Sequence, residues 1–194
     1  RAPSQSIVCT FIDHDGAVSA AAVLRPLQPV ETCDPEHGCP AIVSLHGTSR
    51  PVRDSADAFK FKPPNAPETA DYTFGVPGYW VVAPTRHGAH NWEQGGRLSA
   101  LRALDALAHM GSRHGLLPAS VRIDSGRVLF AGHSMGGHGA WVAALQTASR
   151  ALGVVSVSGW TKKETYGDSN FLFDQSVSDV SASYVEPALE GLLR

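Results

Sequence analysis

Ser134 stands at the centre of Gly132-His133-Ser134-Met135-Gly136, a G-x-S-x-G pentapeptide. These residue types suit attack by a serine hydroxyl on a carbonyl. That chemistry needs the hydroxyl held at the apex of a tight strand-to-helix turn. There the helix N-terminus turns free N–H groups and the positive end of its dipole towards the reacting atoms. The flanks have the right character. Val128 to Ala131 is a short apolar run, as in a buried strand, and Ala140 to Leu145 is an alanine-rich apolar run that reads as a helix. Gly132 and Gly136 have a task, because a side chain two residues either side of the apex would collide with the strand or the helix. An ordinary glycine-rich turn could use the same five residues. The strand before, the helix after and the further Gly137 and Gly139 favour the nucleophile.

The other elements follow from periodicity and punctuation. Ile7 to Ile12 and Ala17 to Leu24 read as strands joined through Asp15-Gly16, a strong hairpin signal. Residues 26–40 are rich in proline and read as surface loop. Ala41 to Leu45 is a strand that runs into His46-Gly47-Thr48. Asp54 to Lys60 suits a short helix, and Lys62 to Pro67 must be loop. Tyr79 to Ala83 is a strand stopped by Pro84, followed by a polar loop to Gly96. Leu98, Leu101, Leu104 and Leu107 recur as a helical core stripe, with Gly111 as its stop, and Trp141 is expected in the core. Leu152 to Ser158 is a further strand, with Trp160 at its end as either core or pocket wall. Val185 to Leu193 suits a terminal amphipathic helix. The pattern predicts an α/β fold over residues 1–194 as one domain. Its central sheet is mostly parallel, with an N-terminal β-hairpin and helices on both faces.

Apolar residues make up 43% and charged residues 18% of the chain, which predicts a globular fold. The net charge is −2, with no long run of one sign and no basic patch interleaved with aromatics, so no nucleic-acid partner is expected. No apolar stretch is long enough for a membrane helix. Neither a phosphate-binding glycine loop nor a metal-ligand cluster occurs, so neither cofactor nor metal is expected. The chain begins at Arg1 with no signal peptide, as a processed product would. Cys33 and Cys39 bracket a turn-rich loop, which suits a small disulfide ring, two free thiols, or a zinc site completed by His37. Cys9 reads as a small buried hydrophobe. The compartment stays open.

Four features together resemble the α/β-hydrolase superfamily, and within it the prolyl-oligopeptidase-like and related esterase branch. They are the hairpin at Asp15-Gly16, a strand ending in Leu45-His46-Gly47, a strand ending in Ala83-Pro84 before Asn91-Trp92, and Ile123-Asp124 through Arg127-Val128 into Gly132-His133-Ser134-Met135-Gly136-Gly137. The resemblance covers residues 5–160. It implies a serine hydrolase cleaving an ester or a peptide bond through an acyl-enzyme on Ser134. The backbone N–H of Met135 and the Gly47-Thr48 loop are then the expected oxyanion donors, although His46-Gly47 also suits a plain strand-ending turn. His87, His90 and Trp92, with Asn91, either line the substrate pocket at the carboxyl edge of the sheet or stabilise their loop. Asp124 and Arg127 fix a turn, His133 packs beside the elbow, and His14, His109 and His114 lie at the surface.

One departure stands out. The family places acid and then histidine after the serine. Here Asp168, Asp174 and Asp179 follow Ser134, but the histidine that follows is His138, one turn into the same helix and unable to reach back. The chain therefore reads as about the first two-thirds of such a hydrolase, with the acid and base beyond residue 194 or on a second chain. The rival reading is an inactive hydrolase-like scaffold or binding subunit.

Overall fold

The computed structural model describes residues 5–28, 30–86, 91–113 and 117–161. The strands are β1 (Ile7–Ile12), β2 (Val18–Leu24), β3 (Cys39–Leu45), β4 (Lys60–Phe61), β5 (Thr73–Phe74), β6 (Trp80–Pro84), β7 (Ile123–His133) and β8 (Ala151–Val157). The helices are α1 (Val52–Asp57), α2 (Gly95–Arg113) and α3 (Met135–Gln146). Among the described residues six strands form one sheet in the order β1-β2-β6-β3-β7-β8, and β4 with β5 forms a separate ribbon. β1, β2 and β6 pair antiparallel, whereas β6, β3, β7 and β8 run parallel. Every residue of β3 and β6 is buried. Unbroken apolar runs suit central parallel strands, which are covered on both faces.

The hairpin forms as its sequence predicts. Ile12 pairs with Val18, and the Asp13 N–H donates to the Ala17 carbonyl at 2.8 Å. Gly16 has φ 85°, which only glycine adopts cheaply. Both sheet faces carry helices. Ala100, Ala103, Leu104 and Leu107 of α2 and Ala140, Ala143 and Ala144 of α3 join one core layer; α1, through Ala56, covers the other with Phe74.

Several sequence expectations need correction. The buried face of α2 is Gly96, Ser99, Ala100, Ala103, Leu104, Leu107 and Gly111, while Leu98 is exposed and Leu101 half-buried. A three-residue repeat turns about 300° per step around an α-helix, so four leucines so spaced spread over half its circumference. Gly111 does not stop α2, which continues to Arg113; it lets the helix pack near Leu117, whose Cδ1 would lie 3.4 Å from a Cβ there. Trp141 is half-buried. The terminal helix expected at 185–193 lies outside the described residues.

The loop before β3 is closed by a disulfide between Cys33 and Cys39, which resolves the three alternatives for these thiols. Asp34 accepts the N–H groups of Glu36 and His37 inside that ring, each at 2.8 Å. Asp124 and Arg127 do fix a turn. Between Asp124 and Val128 the β7 register with β3 breaks, and the carboxylate holds Arg127 Nε at 2.7 Å and the Gly126 N–H at 2.9 Å.

Candidate active site

β3, β6, β7 and β8 run parallel, so their carboxyl ends meet at one edge of the sheet, where open α/β sheets form crevices. Ser134 follows β7 there. Its backbone has φ 57° and ψ −122°, a conformation that costs a non-glycine residue about 1–3 kcal/mol. Two fixed contacts hold it. The Ser134 N–H donates to Val157 O of β8 at 2.8 Å, and its carbonyl accepts the His138 N–H at 3.1 Å. Ser134 occupies the N-cap of α3, yet its hydroxyl makes no capping bond. Serine at this position ordinarily caps its own helix; here the side chain is turned elsewhere. The flanking glycines are required sterically. A Cβ on Gly132 would overlap the Gly136 carbonyl, and one on Gly136 would overlap the Leu45 carbonyl.

Gly47 comes to the same place from β3. A Cβ built on it would lie 3.6 Å from Ser134 Cβ and 3.8 Å from His133 Nδ1. His46 precedes it, half-buried, and its Nδ1 donates to the Gly47 carbonyl at 2.8 Å. Burial holds the His46 imidazole below its ordinary pKa; the bond to the Gly47 carbonyl opposes this shift and the neighbouring Arg86 guanidinium adds to it. Thr48 is exposed beyond Gly47, and Met135 is buried at the start of α3. His133 is exposed, with its ring near Gly47. His87, His90 and His114 lie outside the described residues; His14 and His109 are at the surface, as expected.

Of the two roles open to it, lining the pocket or stabilising its loop, Trp92 fits the second. It is fully buried, with φ 63°, and its indole N–H donates to His46 O at 2.9 Å. A ring so enclosed offers no face to a substrate; it backs the loop that carries Gly47. Its neighbour Glu93 is buried too, 2.7 Å from Nε2 of fully buried His138. His138 Nδ1 meets the Trp160 carbonyl at 2.9 Å, and the two rings stack at 4.7 Å. The carbonyl can only accept, so Nδ1 carries a proton. A second proton lies on the axis between Nε2 and Glu93. Trp160 is thus a packed partner of α3. Glu93 carries no role in the sequence analysis; its signal was an acid beside a tryptophan in a loop otherwise rich in glycine and histidine.

An open cavity of about 410 Å³ adjoins the elbow on the α1 side, lined by His46, Gly47, His133, Phe59, Val155 and Val157 among others. β8 is an edge strand among the described residues, with Leu152, Val155 and Val157 about half exposed. Asp13, His14 and Asp15 cluster on the hairpin turn, where Asp13 already holds His14 Nδ1 at 3.0 Å. No helix of the described residues is long and apolar enough to cross a membrane.

No protein-family model and no curated protein matches the chain. Solved structures do. The S-formylglutathione hydrolase of Agrobacterium tumefaciens is 15% identical with a TM-score of 0.55, over 93% of this chain and 69% of its own. The fluorophosphonate-binding serine hydrolase F of Staphylococcus aureus is 18% identical with a TM-score of 0.54, over 87% and 62%. The S-formylglutathione hydrolase of Staphylococcus aureus is 19% identical with a TM-score of 0.51, over 95% and 66%. The chain therefore spans about two-thirds of the length of the structures it resembles. These likenesses give the prolyl-oligopeptidase branch no support. They and the strand order give the conclusion that the chain has an α/β-hydrolase fold.

Proposed function

We propose that this chain carries the nucleophile of a serine hydrolase that cleaves an ester through an acyl-enzyme on Ser134. The observation that carries the reading is the Ser134 backbone itself. A residue at φ 57°, between glycines that admit no Cβ, keeps its hydroxyl out of its helix cap. A strained serine at a strand-to-helix apex is a cost that binding alone does not require.

On this reading Ser134 Oγ attacks the ester carbonyl, and the Met135 N–H with an N–H of the Gly47-Thr48 loop receives the negative charge. The alcohol leaves, and water then releases the acid. Losing one such donor typically costs about 3–4 kcal/mol of transition-state stabilisation. The base that takes the Ser134 proton, and the acid that orients it, come from outside the described residues. His138, already committed to Glu93 and Trp160, takes no part in that proton transfer. Ester rather than amide cleavage is favoured by the chemistry in the names of the solved structures, in two of which the bond is a thioester of glutathione.

The test is hydrolysis of p-nitrophenyl acetate by the native protein. A burst of p-nitrophenol stoichiometric with protein, lost in Ser134→Ala, supports the acyl-enzyme. Equal slow hydrolysis by both proteins favours the inactive scaffold.

A further inference from the structure

Two consecutive residues of the loop after β6 dock on two consecutive residues of α3. Trp92 lies over Gly139, where a Cβ would stand 2.7 Å from the indole Cγ, and Glu93 meets His138 at 2.7 Å. The docked pair reaches two further strand ends, β3 through the bond from Trp92 to His46 O and β8 through the bond from His138 to Trp160 O. Residues after all four parallel strands are therefore joined in one hydrogen-bonded unit. Trp92 also sits at φ 63°, an outlier for a bulky side chain, held there by the contacts around it.

The bond to His46 has a directional consequence. The peptide joining His46 to Gly47 is planar and trans, so its C=O and N–H point opposite ways. Trp92 fixes the carbonyl, and thereby turns the Gly47 N–H away from the indole. Gly47 itself lies beside Ser134. We infer that Trp92 is a positioning residue for the reaction: it sets the orientation of the Gly47 N–H as an oxyanion donor, and the Glu93–His138 pair holds Trp92 in place. This rests on the reading of Ser134 as nucleophile and of the Gly47 amide as donor.

The experiment compares wild type, Trp92→Phe, Gly139→Ala and Glu93→Gln in the native protein. It measures kcat and KM for p-nitrophenyl acetate, the rate of fluorophosphonate labelling of Ser134, and the melting temperature. Trp92→Phe keeps an aromatic ring and removes the N–H. It should lower kcat by about tenfold or more with KM changed by less than about twofold, and slow labelling in parallel. Gly139→Ala displaces Trp92 without removing its N–H and should give the same split, which serves if Trp92→Phe does not fold. Glu93→Gln should lower kcat by less than Trp92→Phe does, because its amide can donate to Nε2 of a neutral His138. An active wild type with unchanged kcat in folded Trp92→Phe and Gly139→Ala overturns the positioning role alone. A wild type that neither hydrolyses nor labels overturns both this inference and the reading beneath it.

Discussion

Gly136 packs so closely on Leu45 that a Cβ there would overlap the carbonyl oxygen and stand 2.5 Å from its carbon. This contact seats the first turn of α3 on the end of β3, and so brings Gly47 next to Ser134. Backbone cannot yield as a side chain does. Gly136→Ala should therefore lose about 2 kcal/mol or more and lower the melting temperature by about 4–8 °C or more. A melting temperature equal to wild type would mean that the two elements are not so closely seated.

The Glu93–His138 pair makes a separate prediction. His138→Ala leaves the Glu93 carboxyl buried without its partner, which costs about 3–5 kcal/mol. Urea denaturation should show that loss, and Glu93→Gln should lose clearly less. Equal losses in the two variants would contradict the hydrogen-bond scheme derived from the Trp160 carbonyl.

Two groups should show themselves in pH titrations followed by NMR. His46 should titrate below its ordinary 6.5, through burial and then the Arg86 charge. A base with a lowered folded pKa contributes stability that is present above 6.5 and is lost as pH falls from there through the lowered folded value. Asp34 should titrate near 2 instead of 3.8, because the His37 and Glu36 N–H groups and then the His37 ring favour its charged form. Its contribution is present in full above 3.8 and is lost as pH falls towards 2. A His46 midpoint at or above 6.5 would contradict its enclosure.

The disulfide between Cys33 and Cys39 has a sequence separation of 6 and closes a short loop ahead of β3. Short loops gain least from closure, so Cys33→Ser should cost about 2 kcal/mol, or about 4–8 °C of melting temperature. Mass spectrometry without reductant should also find the two cysteines linked. Free thiols on the native protein would contradict the pairing.

Much of this was legible in the sequence for local reasons. The hairpin, the buried β3 and β6 and the strand–turn–helix around Ser134 each carry their signal within a few residues. The partnerships of Trp92 and Glu93 do not. Trp92 leaves pocket lining and loop stabilisation both open in the sequence, because it follows a strand at the carboxyl edge of the sheet, and only the approach of Gly139, 47 residues later in the chain, encloses it. His138 reads as a histidine out of place because its partners, Glu93 and Trp160, lie 45 and 22 residues away. The leucine stripe of α2 misleads for another reason: small residues, Ala100 and Ala103, fit the close approach to the sheet better than Leu98.

The most direct measurement is labelling of the native protein with a fluorophosphonate probe, read by peptide mass spectrometry, with Ser134→Ala as the control. A label on Ser134 that vanishes in the control is the predicted result. It would establish an activated serine at the strained apex. A folded native protein that takes no label there would contradict the nucleophile assignment and leave Ser134 an ordinary hydroxyl on a hydrolase scaffold.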